Sequence, residues 1–262
     1  MPISIKSARE IEFMTEAGRI LEIVHKEMEK ALRPGMTTRD IDRLGEEVIR
    51  SYGCVPSFLN YNGFPATACI SINDEVIHGI PSKKRIIKEG DIVSIDLGAI
   101  LDGYNGDIYK GYHSDAARTY AIGEVDQKVK DLIRVTEESF FEGLKYARPG
   151  NRLSDISHAI EEYAKKFNYG VVRDFTGHGI GSHLHEDPAI PNYGEAGHGP
   201  ILRKGMTLAI EPMINLGTYR VKILNDGWTT ITCDKLASAH YENSIVITDN
   251  GYEILTKIKE ND

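Results

Sequence analysis

Apolar side chains recur every third or fourth position in four stretches of the chain, and this spacing predicts amphipathic helices. The first stretch follows Ser7, which forms a capping-box pattern with Glu10, and it ends before Arg33-Pro34-Gly35. The remaining segments are short and rich in β-branched residues, most clearly at 91–100 and 116–122, which predicts strands. The predicted helices cover about residues 8–32, 38–52, 125–146 and 154–167.

The helices occur as two copies of one pattern. Arg33-Pro34-Gly35 recurs 115 positions later as Arg148-Pro149-Gly150, and the flanking positions match without a gap. A chance recurrence of a common helix stop is the competing explanation. We favour a duplication within a single domain over residues 1–262, with halves of about 1–123 and 124–262. The predicted fold is α/β (α+β), with two helix pairs packed on a shared, mainly antiparallel sheet and a ligand site between the halves.

Composition and charge exclude several classes of function. The chain of 262 residues carries a formal net charge of −8, which argues against nucleic acid as a partner because phosphate binding needs a basic surface. No apolar run is long enough to span a membrane or to form a signal peptide. The three cysteines lack a Cys-x-x-Cys pair, which is typical of a reducing compartment. We therefore expect a cytoplasmic protein without membrane association.

The segment from Phe175 to His185 combines three glycines with the imidazoles of His178, His183 and His185. Glycine lacks a Cβ atom, so a ligand or a second strand can approach such a segment closely. Taken alone, the segment fits a metal or catalytic site about as well as it fits a loop with ordinary polar histidines.

Four carboxylates lie in apolar strand contexts that make them costly to bury. Asp96 is flanked by Ile and Leu, Asp115 opens the next predicted strand, and Glu211 and Glu242 each adjoin a further apolar strand. A buried carboxylate needs a salt bridge or a cation, and we expect Asp115 to face Asp96 across an antiparallel pair. Oxygen-rich ligation with one imidazole favours Mn²⁺, Fe²⁺ or Co²⁺, with Zn²⁺ as a further candidate. Four carboxylates are enough for two divalent ions that share ligands and activate a water molecule.

The order and the surroundings of Asp96, Asp115, His178, Glu211 and Glu242 resemble those of the type I methionine aminopeptidases, over nearly the whole chain. This family has a "pita-bread" fold with two pseudo-symmetric halves, which agrees with the repeat. The supporting strings are Ile70-Ser-Ile-Asn-Asp-Glu-Val-Ile-His78-Gly-Ile-Pro81, Thr176-Gly-His-Gly-Ile-Gly181, Ile210-Glu-Pro212 and Asp226-Gly-Trp228.

The resemblance implies a role for each of these five residues. Asp96 would bind one ion with both oxygens, and Asp115 and Glu242 would bridge the two ions. His178 and Glu211 would complete the second ion. Glu211 would also act in catalysis by moving a proton of the attacking water.

The resemblance also implies substrate contacts. His78 would contact the substrate near the scissile amide, and His185 would polarise the carbonyl group, although an ordinary surface role explains both histidines about as well. A methionine pocket needs apolar, polarizable walls, and plain core packing is the competing explanation for the residues that match it. The pocket positions are Phe58, Tyr61, Phe64, Cys69 and Trp228.

The chain departs from the family pattern at three places. Residues 102–111 look like an insertion of about eight residues, which we expect to form a hairpin extension at the mouth of the site. Asp107 competes with Asp115 for the bridging position, and we choose Asp115 because the strand after it has the expected register. His240 stands where Gln is common and Asn243 where His is common, changes that we expect to tune the metals rather than remove them.

The function implied by the resemblance is removal of the initiator methionine from nascent proteins and peptides with a small second residue. Two alternatives remain open: an X-Pro dipeptidase or aminopeptidase on the same fold, and a metal-free binding protein on that scaffold. Peptide N-termini that begin with Met would be the partners, and a contact with the ribosome would fit this function. We expect a monomer.

Overall fold

The structure is a computed structural model that describes residues 2–101 and 111–257. Within those residues, the helices α1–α4 span Ala8–Ala31, Thr38–Ser51, Gln127–Leu144 and Leu153–Lys165, and a short 3₁₀ turn spans Tyr61–Gly63. The strands β1–β15 span Val55–Pro56, Ala68–Ile72, Glu75–Ile77, Ile92–Leu101, Tyr112–Ala121, Gly170–Val171, Gly177–Gly179, Glu186–Ile190, Thr207–Ile210, Met213–Asn215, Val221–Ile223, Thr230–Thr232, Ser238–His240, Glu242–Ile247 and Tyr252–Ile254.

Helices α1, α2 and α3 each begin where a side chain accepts a hydrogen bond from a free backbone N–H group. Ser7 and Glu10 form a reciprocal capping box at the start of α1, as the sequence predicts. Thr37 caps α2 with Asp40 in the reciprocal position, and Asp126 accepts a hydrogen bond at the start of α3. The four predicted helices are therefore confirmed, with ends that differ from the prediction by one or two residues.

A nine-stranded sheet forms the centre of the fold. Its strands lie in the order β1-β4-β5-β14-β9-β7-β8, with β2 paired to β4 and β15 paired to β14, and every pair is antiparallel. Two three-stranded sheets, β13-β10-β6 and β11-β12-β3, adjoin it. The predicted fold class is confirmed.

The two helix pairs cover the two halves of this sheet. The apolar faces of α1 and α2 pack on β2, β4 and β5, with Leu21, Ile41 and Ile95 fully buried between them. The faces of α3 and α4 pack on β8, β9 and β14, where Phe140 and Ile245 are fully buried. Among the described residues, no helix is long and apolar enough to cross a membrane.

The repeat seen in the sequence reappears as matching backbone geometry. Gly35 donates its N–H to the carbonyl of Ile87, and Gly150, 115 positions later, donates to the carbonyl of Leu202 at the same offset. Both glycines have a φ of +93°, which is strained for other residues. The two halves therefore use the same turn to join the helix pair to the sheet.

The structure corrects the predicted pairing of Asp115. Strand β5 begins at Tyr112 rather than at Ala116, so Asp115 lies inside the strand. Its partner across β4 is Gly98, whereas Asp96 faces Ala117. The prediction was wrong because the polar residues before Ala116 resemble a loop. They belong to the strand because their backbone pairs with residues 98–101 of β4.

Candidate active site

Four neighbouring strands of the main sheet each carry one of the predicted carboxylates. Asp96 lies on β4, Asp115 on β5 and Glu242 on β14, and Glu211 follows β9 directly. Because β4, β5, β14 and β9 are consecutive in the sheet, the four side chains meet on one surface at its centre. Strand pairing therefore brings together residues that are far apart in the chain.

His178 adds an imidazole to this group. It lies on β7 opposite Ala209, and its Nε2 atom is 3.7 Å from Glu211 Oε1 and 3.9 Å from Asp115 Oδ2. Its Nδ1 atom is 2.8 Å from the carbonyl oxygen of Gly179. A carbonyl only accepts, so Nδ1 carries the proton and the lone pair of Nε2 faces the carboxylates.

The carboxylates lack protein partners for part of their oxygens. Asp96 Oδ1, Asp115 Oδ1 and Glu242 Oε1 are buried without a hydrogen bond from the described residues. Burial raises the pKa of all four carboxyls, and the charge of Asp115 raises those of Asp96, Glu211 and Glu242 further.

Divalent cations fit this arrangement, because they compensate the negative charge and bind the free oxygens. The ligand atoms of Asp115, His178 and Glu242 lie within 4.8 Å of one another, which is close enough to hold one ion. Asp107, the competitor of Asp115 in the sequence, lies outside the described residues.

A cavity of about 230 Å³ opens directly over the carboxylates. All the residues predicted to hold metal, act in catalysis or bind substrate line it, together with Asn62 and Leu184, which the sequence did not indicate. The lining residues are Phe58, Tyr61, Asn62, Phe64, Cys69, His78, Asp96, Asp115, His178, Leu184, His185, Glu211, Trp228 and Glu242.

Aromatic rings form the apolar wall of this cavity. The rings of Phe64 and Trp228 are in edge contact at 5.1 Å between centroids, and Phe58 and Cys69 are buried beside them. A Cβ at Gly98 would lie 2.8 Å from Cβ of Ser57 and 3.2 Å from the Phe58 ring. Glycine at this position therefore gives the Phe58 ring its place in the wall.

His78 and His185 stand at the cavity beside the carboxylates. The His185 ring lies 4.2 Å from the His178 ring, and its Nδ1 is 2.9 Å from the Tyr61 hydroxyl. His78 has a φ of +60°, and its ring is in edge contact with that of Trp228 at 6.1 Å. Burial lowers the pKa of His78 to about 4 and lowers that of His185, so both rings are neutral near pH 7.

The structure also places the two departures His240 and Asn243. The Nε2 atom of His240 lies 3.8 Å from Glu211 Oε2 and 3.9 Å from Glu242 Oε2, so His240 belongs to the carboxylate group. Asn243 has a different role, because its Oδ1 accepts hydrogen bonds from Arg118 at 2.7 Å and from Thr256 at 2.8 Å.

A duplicated antiparallel sheet with a carboxylate and imidazole centre, covered by two helix pairs, defines a metallopeptidase of the pita-bread class. Comparison with known proteins agrees, because the sequence pattern of metallopeptidase family M24 matches residues 12–249 of this chain. The chain belongs to this family, in its methionine aminopeptidase group, which confirms the resemblance seen in the sequence.

Individual relatives support this assignment. The chain is 56% identical to a methionine aminopeptidase of Clostridium acetobutylicum, over 97% of this chain and 98% of the relative. It is 48% identical to methionine aminopeptidase 1 of Bacillus subtilis, over 98% of this chain and all of the relative. The crystal structure of a methionine aminopeptidase from Thermotoga maritima superposes with a TM-score of 0.93 at 46% identity, over 98% of this chain and all of that one. The prolidase of Pyrococcus furiosus gives a TM-score of 0.76 at 26% identity, over 98% of this chain and 66% of that one.

Proposed function

We propose that this protein removes the N-terminal methionine from nascent proteins and peptides with a small second residue, using two divalent ions. One observation carries the proposal: a single cavity joins the carboxylate group to an aromatic wall suited to a thioether side chain. The relatives named methionine aminopeptidase support the same reaction.

The metal centre would be held by Asp96, Asp115, His178, Glu211 and Glu242. Oxygen-rich ligation favours Mn²⁺, Fe²⁺ or Co²⁺, and Zn²⁺ is compatible with the same donors. Such ions, when bound, supply Lewis acidity that polarises a carbonyl group and lowers the pKa of water.

Glu211 is suited to move protons during the reaction. It follows β9 directly and lines the cavity beside the other carboxylates. A carboxylate at this place can accept a proton from the attacking water and return it to the leaving amine. We therefore assign Glu211 both a metal-binding and a catalytic role.

His78 and His185 would position the scissile bond. Both rings are neutral near pH 7, so each can donate one N–H without placing a second positive charge beside the ions. The Tyr61 hydroxyl holds the ring of His185 from the Nδ1 side. We assign His185 to the carbonyl oxygen of the substrate and His78 to the scissile amide.

The pocket residues Phe58, Tyr61, Phe64, Cys69 and Trp228 would bind the methionine side chain. The aromatic edges and the Cys69 sulfur provide polarizable contacts, which favour a thioether over a branched aliphatic side chain of similar size.

The test compares turnover of Met-Ala-Ser, Leu-Ala-Ser and Ala-Pro-Ser, with and without a chelator and after Mn²⁺ or Co²⁺ is restored. We expect metal-dependent release of Met alone. Preference for Ala-Pro-Ser would assign the X-Pro activity, which the 26% identity to prolidase supports less well than the 46% identity to a methionine aminopeptidase. No turnover with any metal would favour the metal-free binding protein.

We also propose that the protein acts in the cytoplasm as a monomer, on chains that leave the ribosome. The reducing environment indicated by its three unpaired cysteines supports this location. Sedimentation analysis of the purified protein tests the monomer, and co-sedimentation with ribosomes tests the contact.

A further inference from the structure

His240 is a buried histidine with an unsatisfied ring nitrogen. It is 2% exposed, and its Nε2 atom has no hydrogen-bond partner among the described residues. It is the last residue of β13, and Glu242, two positions later, begins β14. Across the sheet it pairs with Met213, two positions after Glu211. The junctions of β13 with β14 and of β9 with β10 therefore bring His240 close to Glu211 and Glu242.

The surroundings of His240 resemble those of His178. Nε2 of His178 lies 3.7 Å and 3.9 Å from one oxygen each of Glu211 and Asp115. Nε2 of His240 lies 3.8 Å and 3.9 Å from one oxygen each of Glu211 and Glu242. The carboxylate of Glu211 stands between the rings, with Oε1 toward His178 and Oε2 toward His240.

These distances fit an ion between the groups better than a direct hydrogen bond. An N–H···O bond has a donor–acceptor distance of about 2.7–3.2 Å, shorter than either distance at His240. Two ligands bound at about 2.1 Å to one ion can lie up to about 4.2 Å apart. The ligand atoms of Glu211, His240 and Glu242 all lie within 4.8 Å of one another, like those of Asp115, His178 and Glu242.

We propose that His240 is a sixth protein ligand of the metal centre and binds through Nε2 the ion held by Glu211 and Glu242. Glu211 faces both rings, and the resemblance assigns Glu211 and His178 to the same ion, so this ion would carry two imidazoles, His178 and His240. This inference rests on the two-ion centre of the proposed function. It assigns metal binding to a residue outside the five ligands implied by the family resemblance.

The experiment counts the imidazoles bound to metal. Protein labelled with ¹⁵N in its histidines is loaded with two equivalents of Co²⁺, and hyperfine-shifted imidazole N–H signals are recorded by paramagnetic NMR. We expect two signals in the wild type and one in each of the variants His178→Gln and His240→Gln. His183→Gln, which removes an exposed imidazole outside the carboxylate group, should keep two. Calorimetric titration should show one Co²⁺ site weakened about 10- to 100-fold in His240→Gln.

A wild-type spectrum with a single imidazole signal would overturn the proposal, and this count needs no variant at all. A purely structural His240 would alter affinity without changing the number of signals. Turnover of Met-Ala-Ser by the same wild-type sample separates the two claims. Two signals without turnover would contradict the proposed function alone, whereas turnover with one signal would contradict the sixth ligand alone.

Discussion

Replacement of Asp115 by Asn should stabilise the metal-free protein while it removes metal binding. Asp115 is 3% exposed, and its Oδ1 has no hydrogen-bond partner among the described residues. Burial raises its pKa from 3.8 to about 7. This carboxylate therefore destabilises the metal-free fold, because it must either keep a proton or stay charged with its Oδ1 unsatisfied.

The magnitude follows from the pKa shift. Each pKa unit corresponds to 1.36 kcal/mol, so at pH 8 ionised Asp115 costs the metal-free fold roughly 4 kcal/mol. Between the unfolded-state pKa of 3.8 and the folded-state pKa of about 7, the folded protein binds more protons than the unfolded chain. The stability of the wild type therefore decreases as pH rises from about 4 to about 7. The amide group that Asp115→Asn introduces would itself be buried and unsatisfied, which costs about 1–3 kcal/mol. The expected net gain for Asp115→Asn at pH 8 is about 1–3 kcal/mol.

Addition of metal should reverse the order of stability. A ligand at 100 times its dissociation constant stabilises the folded state by about 2.7 kcal/mol, which the wild type should gain and Asp115→Asn should lose. Urea unfolding with chelator and with Mn²⁺, from pH 4 to pH 8, measures both effects.

Asp42→Asn is the matched control. Asp42 is also a buried aspartate with a raised pKa, but its Oδ1 accepts N–H groups of Thr67 and Ala68 at 2.9 Å and its Oδ2 accepts from Arg39. Its replacement should destabilise the protein by about 1–3 kcal/mol with and without metal. If metal-free Asp115→Asn proved less stable than the wild type at pH 8, or kept the gain with Mn²⁺, our account of the carboxylate group would be wrong.

Three further predictions concern residues around the site and in the core. Burial lowers the pKa of His25 from 6.5 to about 3, so the folded state is destabilised as pH decreases below 6.5. In urea unfolding, the wild type should lose about 2 kcal/mol of stability between pH 6.5 and pH 5, and His25→Gln should not show this loss. Gly98→Ala would place a Cβ atom 2.8 Å from Ser57 Cβ and displace the Phe58 ring, so KM for Met-Ala-Ser should rise about tenfold. The control is Gly251→Ala, whose added Cβ meets no atom within 4 Å and should leave KM unchanged. Tyr61→Phe removes the hydroxyl that holds the His185 ring, so kcat should fall about 2- to 10-fold. Elemental analysis should show unchanged metal content, and a loss of metal would contradict the positioning role of Tyr61.

The sequence predicted the residues of the carboxylate group because local chemistry singles them out. A carboxylate inside an apolar strand, as at Asp96 or Glu242, is costly without a cation, so the residue type and its neighbours are informative by themselves. The helices were predictable for a similar reason, since caps such as Ser7 and Thr37 act within one turn.

Strand register and the neighbourhood of His240 were not predictable in this way. The position of Asp115 opposite Gly98 depends on how two strands align in space, and the polar residues before Ala116 gave no strand signal. The position of His240 depends on pairing between β13 and β10, which joins segments about 25 residues apart. In both cases the deciding contact lies between strands, whereas the sequence pattern describes one strand at a time.

The repeat explains why the site lies at the centre of the sheet. The offset of 115 positions that relates the two helix pairs also relates Asp96 to Glu211, and β4 and β9 begin at residues 92 and 207. Asp96 faces Ala117, and the register of β14 on β9 places Glu242 next to Glu211 in the same way. Ala117 and Glu242 are therefore equivalent positions, and they pair with each other where the two halves meet.

This symmetry is broken in a way that separates the metal centre from the substrate side. His178 faces Ala209, whose equivalent in the first half is Ser94, and Ser94 faces Ser71. Ser71 therefore occupies the place equivalent to His178, and its hydroxyl accepts the N–H of Gly79, next to His78. The second half has an imidazole at this position, which we propose binds metal, whereas the first half uses the position to hold the loop of a proposed substrate-binding histidine. Two identical halves would place an imidazole at both positions, and no serine would then hold the loop of His78. The difference at this one position therefore gives the cavity a proposed metal side and a proposed substrate side.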